Sequence, residues 1–192
     1  MKRRLTDRRL RRWYRLLSVR MTRFDCGTLC APANDGIPYC CDRDQVVPLL
    51  YRDELRWHRR RSRFWRRSKP RTRHAKKLAA EIVDDVVLAD CPGVAGCRRG
   101  LRALVCRTFP FEPHLDDDGR LLGITYQYSV EAECPLVGRP RRTVNEAYIG
   151  NALTFWSEVL DVFPEEREMY TAESKKLRRR FQKSGRRVQV FA

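Results

Sequence analysis

The stretch Cys26-Gly-Thr-Leu-Cys30, followed after nine further residues by the pair Cys40-Cys41, places four thiols within sixteen positions. The second half of the chain contributes four more cysteines: Cys91, Cys97, Cys106 and Cys134. These two groups contain every cysteine of the sequence, so no thiol is scattered as ordinary apolar filler. A chain that concentrates its thiols in this way is either a disulfide scaffold or a metal-binding protein.

The cellular compartment separates these two classes of protein. The N-terminal residues 1–12 carry the positive charge of an export signal, but no run of roughly seven or more apolar residues follows them. The sequence therefore predicts a cytoplasmic protein, in which glutathione and thioredoxin keep most thiols reduced. Because 192 residues also suffice to build a core without covalent staples, metal ligation is favoured over disulfides. No apolar run approaches the roughly 18 residues of a membrane span, so none is predicted.

Composition predicts a globular chain with a highly charged surface, since 42% of its residues are hydrophobic, 34% are charged and the net charge is +17. We expect a small single α+β domain with an irregular cysteine-rich metal-binding core, a short hairpin or sheet, about three or four helices and basic extensions. The predicted segments are a basic N-terminal helix (1–24), a cysteine-cluster metal-binding domain (25–163, with a basic insertion at 52–77) and a basic C-terminal helix and tail (164–192).

The first segment has the spacing of an amphipathic helix. Four apolar residues recur at intervals of three and four between arginines: Leu10, Trp13, Tyr14 and Leu17. This pattern favours a surface helix that packs its apolar stripe on its own domain. Nucleic acid, a membrane surface and an acidic protein are the alternative partners for such a basic helix.

The basic insertion follows a predicted helix start. Residues 47–57 have Pro48 near the first turn, where its missing N–H is tolerated, and the pattern predicts a helix that runs toward Trp65. Trp57, Phe64 and Trp65 alternate with arginines, as on a nucleic-acid surface where rings stack on bases and guanidinium groups neutralise phosphates. Anchoring of these rings in the core is the favoured interpretation.

The remaining elements are predicted from local signals. Residues 78–89 are compatible with a buried helix or a strand, and Asp118-Gly119 predicts the tight turn of a hairpin. Thr143 and Glu146 form a capping box that opens a helix, and Pro164 begins a second, charged helix. Residues 188–191 are a closing strand or a tail. The first of these helices has an apolar face made of Tyr148, Ala152, Phe155, Trp156, Val159, Leu160 and Phe163.

The cysteine pattern as a whole resembles the YkgJ-type cysteine-cluster family. The resemblance covers residues 25–136, and its most specific parts are the Cys40-Cys41 doublet and the run Cys106-Arg-Thr-Phe-Pro110. Members of that family are described as zinc- or iron-chelating, so the resemblance implies a metal or iron–sulfur site. The C-x3-C spacing of the first pair is also similar to the cysteine motif of flagellin lysine-N-methylases, which belong to the same broad family, and it brings methyl transfer from S-adenosylmethionine into consideration.

Thiolates select soft metals, and eight of them allow two four-coordinate sites. The predicted metal ligands are Cys26, Cys30, Cys40, Cys41, Cys91, Cys97, Cys106 and Cys134. Zinc and an iron–sulfur cluster both fit, and a 4Fe–4S cluster is favoured because Arg98, Arg99 and Arg107 beside the ligands would stabilise its negative charge. Three histidines are left out, because a lone histidine is more often a surface or supporting group: His58, His74 and His114.

Three functions follow from these features. The first is a metal-binding protein with a redox, sensing or metal-delivery role, and it accounts for the most residues. The second is an S-adenosylmethionine-dependent enzyme of the lysine-N-methylase kind, for which the sequence assigns no catalytic residue. The third is a nucleic-acid-binding module with a structural metal. The Arg-rich segments predict nucleic acid or an acidic protein as a partner.

Overall fold

The computed structural model describes residues 4–43, 45–70, 73–82 and 85–192. It has an α+β architecture with two three-stranded sheets, which confirms the predicted class. The chain forms two compact units that are interleaved in sequence. Unit 1 comprises Met1–Tyr14 and Gly27–Arg107, and unit 2 comprises Arg15–Cys26 and Thr108–Ala192.

Unit 1 combines short helices with one antiparallel sheet. The helices that begin in it are α1 (Asp7–Leu16), α2 (Gly27–Cys30), α3 (Arg52–Arg59), α4 (Arg73–Glu81) and α5 (Leu104–Thr108). Its strands are β1 (Leu49–Tyr51), β2 (Arg66–Arg67) and β3 (Val86–Asp90). Strand β3 lies in the middle, in the order β1-β3-β2, and pairs with both neighbours. A middle strand is covered by a neighbouring strand along both edges, which agrees with the burial of its centre, Val87 to Ala89.

The core of unit 1 collects around this middle strand. Its buried members are Leu50, Leu55, Trp65, Val87, Ala89 and Ala103. Cys91 and Cys106 are partly buried and pack against this cluster. Trp65 is 2% exposed, and its indole N–H donates to the Leu101 carbonyl oxygen at 2.7 Å, so its one polar atom is satisfied within the unit. The predicted anchoring of Trp65 in the core is confirmed, and the ring is not available for base stacking.

One predicted element of unit 1 differs in the structure, and a second region that the pattern left open is assigned by it. The helix predicted from residue 47 toward Trp65 is a strand, β1, followed by a helix that ends at Arg59. Leu50 pairs with Val87, so pairing with β3 makes these residues a strand, although Pro48 and the apolar spacing predicted a helix. Residues 78–89 contain both elements that the pattern left open, since α4 ends at Glu81 and β3 begins at Val86. Val83 and Asp84 lie outside the described residues.

The sheet of unit 2 contains the predicted hairpin. Its strands are β4 (Phe111–Leu115), β5 (Leu121–Tyr126) and β6 (Val190–Phe191), all antiparallel in the order β4-β5-β6. Gly119 has φ +79°, the left-handed conformation that a tight turn requires. Asp116 accepts hydrogen bonds from the N–H groups of Asp118 and Arg120 and holds the same turn. The hairpin and the closing strand are both confirmed.

Two helices complete unit 2, α6 (Glu146–Val162) and α7 (Pro164–Lys183). All seven residues of the predicted apolar face of α6 are buried, which confirms that face. The predicted capping box is wrong by two residues, because Asn145 is the N-cap and its side chain accepts from the Ala147 N–H. Thr143 instead ends a short 3-10 turn, and Val144 pairs with Thr22 before the helix begins. None of the described helices has both the length and the apolar character needed to cross a bilayer.

Candidate functional site

The eight cysteines are divided between the two units. All of them lie in the described part of the chain, and none forms a disulfide. Unit 2 contains Cys26 and Cys134, whereas unit 1 contains Cys30, Cys40, Cys41, Cys91, Cys97 and Cys106. Cys134 is buried near Tyr126, and Cys26 lies near Tyr148. Any site formed within unit 1 therefore draws on its own six thiols.

Electrostatic interactions link four of the thiols in unit 1, with Cys91 in range of the other three. The Cys91 thiol is influenced by Cys41 and Cys97. The Cys106 thiol is influenced by Cys91 and Cys41. We name Cys41, Cys91, Cys97 and Cys106 the thiol cluster. Its members come from separate segments of the chain, up to 65 positions apart, so the tertiary structure of unit 1 brings them together.

Short irregular segments position the thiol cluster. Cys41 ends a 3-10 turn, Cys91 directly follows β3, and Cys106 lies on α5. Between Cys91 and Cys97 the backbone is tightly folded, because a side chain at Gly96 would approach Pro92 Cβ to 2.5 Å. This explains why the Cys91-x5-Cys97 loop contains small residues and a proline.

Hydrogen-bond donors aimed at sulfur accompany the cysteines. Arg102 donates from Nε to Cys97 Sγ at 3.4 Å, and the Tyr39 backbone N–H donates to Cys30 Sγ at 3.4 Å. A backbone hydrogen bond from Gly93 lowers the pKa of Cys91, although burial still raises that pKa above its ordinary value. Donors of this kind favour the thiolate form, which is the form that binds metals.

Burial opposes ionisation at Cys106. Desolvation, with smaller contributions from Cys91 and Cys41, raises the pKa of Cys106 to about 12. The thiol is therefore protonated at neutral pH when no cation is near. In metal sites generally, a cation takes the place of the thiol proton, because an opposite charge at the sulfur offsets desolvation and the mutual repulsion of thiolates.

Arginine side chains near the thiol cluster have two different roles. Arg107 donates to three backbone oxygens, of Arg102 at 2.8 Å and of Arg99 and Gly100 at 3.2 Å each, so it braces the loop between Cys97 and Cys106. Arg102 donates from its guanidinium to the sulfur of Cys97. The sequence pointed to Arg98, Arg99 and Arg107 because they adjoin cysteines. Arg102 lies five residues from Cys97, and no local sequence pattern predicts a contact at that spacing.

The thiol cluster has the chemistry of a soft-metal site without its finished geometry. Within the described residues, no group of three or more His, Cys, Asp or Glu side chains is arranged to hold a metal ion. Cys40 is exposed, and Cys30 is directed to the Gly27 carbonyl oxygen at 3.7 Å. The structure therefore shows that the thiols of the cluster lie near Cys91 and Cys106, but it does not show them arranged around a metal ion. Metal ligation by any of the eight cysteines stays a prediction.

A second buried polar group in unit 1 was missed at the sequence level. Glu54 and His58 are each 1% exposed, and the Tyr14 hydroxyl lies 2.6 Å from both Glu54 Oε1 and His58 Nε2. Glu54 Oε1 also accepts from the Leu104 N–H at 2.8 Å. We name Tyr14, Glu54 and His58 the buried polar network. The spacing of Glu54 and His58 on one helix face is the only sequence signal for it, and Tyr14 is 40 positions from Glu54.

Burial sets the ionisation of this network. Desolvation raises the pKa of Glu54 to about 7, although hydrogen bonds from Tyr14 and from the Leu104 and Tyr51 backbones oppose the shift. Desolvation lowers the pKa of His58 to about 4, with further lowering by Arg107 and Arg61. His58 is therefore neutral at pH 7. In unit 2, burial likewise lowers the pKa of His114 to about 4, and the His74 side chain lies outside the described residues.

A basic depression lies on unit 2. It has a volume of about 520 Å³ and is lined by Lys176, Arg179, Arg180, Lys183 and Ser184. The four cations recur at intervals of three and four on the C-terminal half of α7, and all are exposed. Lys176 pairs with Glu173 at 2.7 Å, whereas Arg179 and Lys183 form no ion pair with any residue that the structure describes. This part of α7 concentrates positive charge on one face.

Comparison with known proteins identifies no similar protein or structure. No protein-family model matches the chain, and neither a curated protein nor a solved structure does so. The resemblance of the cysteine pattern to the YkgJ-type family stays a prediction, and the function is inferred from the chemistry of unit 1 and unit 2 themselves.

Proposed function

We propose that unit 1 binds a soft metal centre through the thiol cluster and has a redox or sensing role. The observation that carries this proposal is the convergence of Cys41, Cys91, Cys97 and Cys106 in one unit. Cys91 interacts electrostatically with each of the other three thiols, so ionisation of the group without a cation is unfavourable, and a cation removes that repulsion. Four sulfur ligands are the number that one tetrahedral zinc ion or one 4Fe–4S cluster requires.

The surroundings of the thiol cluster favour an iron–sulfur cluster over zinc. Arg102 places a guanidinium N–H on Cys97 Sγ, and its charge lies within range of Cys41 and Cys106 as well. Hydrogen bonds and positive charge at the sulfurs stabilise the reduced, more negative state of such a cluster and raise its reduction potential. A bound iron–sulfur cluster would supply one-electron transfer. The four cysteines are only partly buried, which suits exchange of an electron with a partner.

The test is metal analysis of protein purified without oxygen. An iron–sulfur cluster gives iron, acid-labile sulfide and a broad absorption band near 400 nm, whereas zinc gives colourless protein. We expect Cys91→Ser and Cys106→Ser to lose the metal. Cys134→Ser is the matched control, because Cys134 belongs to unit 2, and it should retain full metal content. Well-folded protein that stays metal-free after reconstitution with iron and sulfide, and with zinc, would overturn the proposal.

The methyltransferase alternative is tested in the same preparation. The resemblance to lysine-N-methylases brings S-adenosylmethionine into consideration as a cofactor. Calorimetric titration of the metal-loaded protein with S-adenosylmethionine should give no binding heat if unit 1 serves electron transfer or sensing. Saturable binding would make the enzyme the better proposal.

A second candidate function is nucleic-acid binding, and the basic depression on α7 favours it. Its four cations spaced along one helix face can each meet a phosphate. Leu177 and Phe181 on the same part of α7 are half-buried and buried, so the face offers charge without the apolar residues that a membrane-surface helix inserts. No ring lines the depression, so backbone contacts to a duplex are favoured over stacking on unpaired bases.

Salt dependence of binding tests this second candidate. Binding of a short DNA duplex should weaken linearly in log Kd against log salt, with a slope of about 0.9 for each phosphate neutralised. The double variant Arg179→Gln/Lys183→Gln should reduce the slope by about two if both contact phosphates. Arg8→Gln/Arg9→Gln on the exposed face of α1 is a charge-matched control. An equal loss in both double variants would indicate attraction by net charge alone and would contradict a site on α7.

A further inference from the structure

The buried polar network is the sharpest feature of unit 1 that the proposed metal centre leaves unexplained. An ionisable carboxyl that is 1% exposed lowers stability unless its hydrogen bonds are satisfied. An apolar residue of similar size is often as good or better at such a position. The hydrogen bonds of Glu54 indicate what this buried carboxyl contributes to unit 1.

The geometry points to Glu54 as a positioning residue for the thiol cluster, held in place by Tyr14. This inference rests on the proposed metal centre. Glu54 Oε1 accepts from the Leu104 N–H at 2.8 Å, and Leu104 is two residues before Cys106 on the same short helix, α5. The carboxyl thus fixes the backbone from which the Cys106 thiol of the cluster projects.

Tyr14 fixes the carboxyl in turn. Its hydroxyl donates to Glu54 Oε1 at 2.6 Å, and the tyrosine is itself buried. The ring of Tyr14 is covered by the Arg107 guanidinium at 4.9 Å and stacks on Trp57 at 4.8 Å, so its hydroxyl has little freedom to move. Three parts of unit 1 that are distant in sequence meet at this one carboxyl: α1, α3 and α5.

His58 completes the network and assigns its hydrogens. The Tyr14 hydroxyl has one hydrogen, and it uses this hydrogen for the bond to Glu54. Neutral His58 therefore donates a hydrogen bond from Nε2–H to the Tyr14 oxygen at 2.6 Å. In that tautomer Nδ1 carries no hydrogen, which agrees with the lack of a partner for His58 Nδ1 among the described residues. The ring of His58 also packs against Trp65 of the unit 1 core at 6.1 Å.

A metal site is sensitive to this kind of support. Metal–sulfur distances tolerate deviations of only about 0.2 Å, and loss of an outer hydrogen-bonding partner weakens metal binding by about 10- to 100-fold. Glu54 does not touch a cysteine in this arrangement. It acts through the Leu104 N–H, so its removal should weaken binding without changing the number of ligands.

The experiment uses cobalt(II) as the probe, titrated into the full-length reduced protein and followed by its thiolate-to-metal absorption. We expect Glu54→Leu to weaken cobalt binding by about 10- to 100-fold. Glu54→Gln keeps an Oε1 acceptor for Leu104 and should restore the affinity to within about threefold of the parent protein. Glu112→Leu is the matched control, because Glu112 is a second glutamate whose pKa burial raises to about 7, but it lies in unit 2.

The outcomes separate this inference from the proposed function. If the parent protein binds neither cobalt, zinc nor iron, the metal centre and the positioning role are both overturned. If the parent binds cobalt and Glu54→Leu binds it equally well, the positioning role alone is overturned. Should Glu54→Leu fail to fold by circular dichroism, Tyr14→Phe removes the donor to Glu54 without a cavity. Unchanged cobalt affinity and an unchanged absorption band in folded Tyr14→Phe would then overturn it.

Discussion

The interiors of the two units contain different types of side chain. Unit 1 buries or half-buries the thiol cluster and the buried polar network beside a small apolar core. Unit 2 is filled by rings, with Phe111, Tyr126 and Phe191 in mutual contact at 4.8 to 5.4 Å between centroids. Apolar rings stabilise a fold unconditionally, whereas thiols and a buried carboxyl stabilise it only when their partners are present. We therefore expect unit 2 to be self-supporting and, under the proposed metal centre, unit 1 to depend on its metal.

Two glutamates, Glu54 in unit 1 and the partly buried Glu112 in unit 2, repeat this contrast at the level of single residues. Burial raises the pKa of both Glu54 and Glu112 to about 7. Hydrogen bonds from Tyr14 and two backbone groups oppose the shift at Glu54. At Glu112 the second cause is repulsion by Glu173, which adds to the shift. The same degree of perturbation therefore reflects a satisfied network in unit 1 and an unfavourable position in unit 2.

Metal removal should produce the largest difference between the units. Because structural metal sites contribute folding free energy directly, we expect chelation to destabilise unit 1 by on the order of 5 kcal/mol or more. Hydrogen exchange measured by mass spectrometry should show lost protection in peptides from residues 86–107 and retained protection in residues 146–183. Equal loss of protection in both ranges would break the proposed contrast.

A core truncation in unit 2 should be nearly as severe and independent of metal. Phe155 is 2% exposed on the apolar face of α6, and Phe155→Ala should lower the free energy of unfolding by about 3–5 kcal/mol. Phe24→Ala is the control, because Phe24 is 38% exposed and its loss should change stability by about 0.5 kcal/mol or less. Urea unfolding with and without chelator measures both. A metal-dependent effect of Phe155→Ala would contradict the self-supporting role of unit 2.

The pH dependence of stability should distinguish the two glutamates. A glutamate whose pKa rises from 4.5 to about 7 on folding contributes stability below pH 4.5 that is lost as the pH rises through 7. His58 and His114, with pKa values lowered to about 4, contribute stability above pH 6.5 that is lost as the pH falls toward 4. Glu112→Gln should therefore raise stability at pH 8 by about 1–2 kcal/mol and leave it nearly unchanged at pH 4.5.

Glu54→Gln sharpens the same comparison. It removes the charge but also changes a group that accepts from two donors, so we expect a smaller gain than for Glu112→Gln at pH 8. Thermal unfolding of both variants from pH 4.5 to 8 measures the difference. A larger gain at Glu54 than at Glu112 would mean that the network in unit 1 is poorly satisfied.

The smallest effects should come from exposed ion pairs, in which the units do not differ. Asp7 is 43% exposed and pairs with Arg60 at 2.6 Å in unit 1, and Asp118 is 76% exposed and pairs with Arg120 at 2.8 Å in unit 2. Asp7→Asn and Asp118→Asn should each lower stability by about 0.2–1 kcal/mol, and less at high salt. Urea unfolding at low and high salt measures both, and an effect above about 2 kcal/mol at either would contradict the small contribution expected of exposed ion pairs.

Local patterns predicted the parts of unit 2 well. The turn at Asp118-Gly119, the apolar face of α6 and the start of α7 at Pro164 all follow from short-range rules of turn geometry and helical spacing. The start of α6 was misplaced because Asn145 competes with Thr143 as a cap and Val144 pairs with a distant residue, Thr22. In unit 1 the strand β1 was read as a helix start because its partner, β3, lies 35 or more positions away along the chain.

The sequence by itself determined which residues could form a site, since eight cysteines in two groups and an Arg-rich surface are visible without coordinates. It also determined the local turns and helix faces, because these depend on residues within about a turn of one another. Only the tertiary structure decided which thiols share a unit, that Arg102 reaches Cys97, and that Tyr14, Glu54 and His58 meet in the interior. Tyr14 meets Glu54 and His58 from 40 or more positions away, and the pairing of such residues is set by burial and by the satisfaction of buried polar atoms, which leave no periodic trace in the chain.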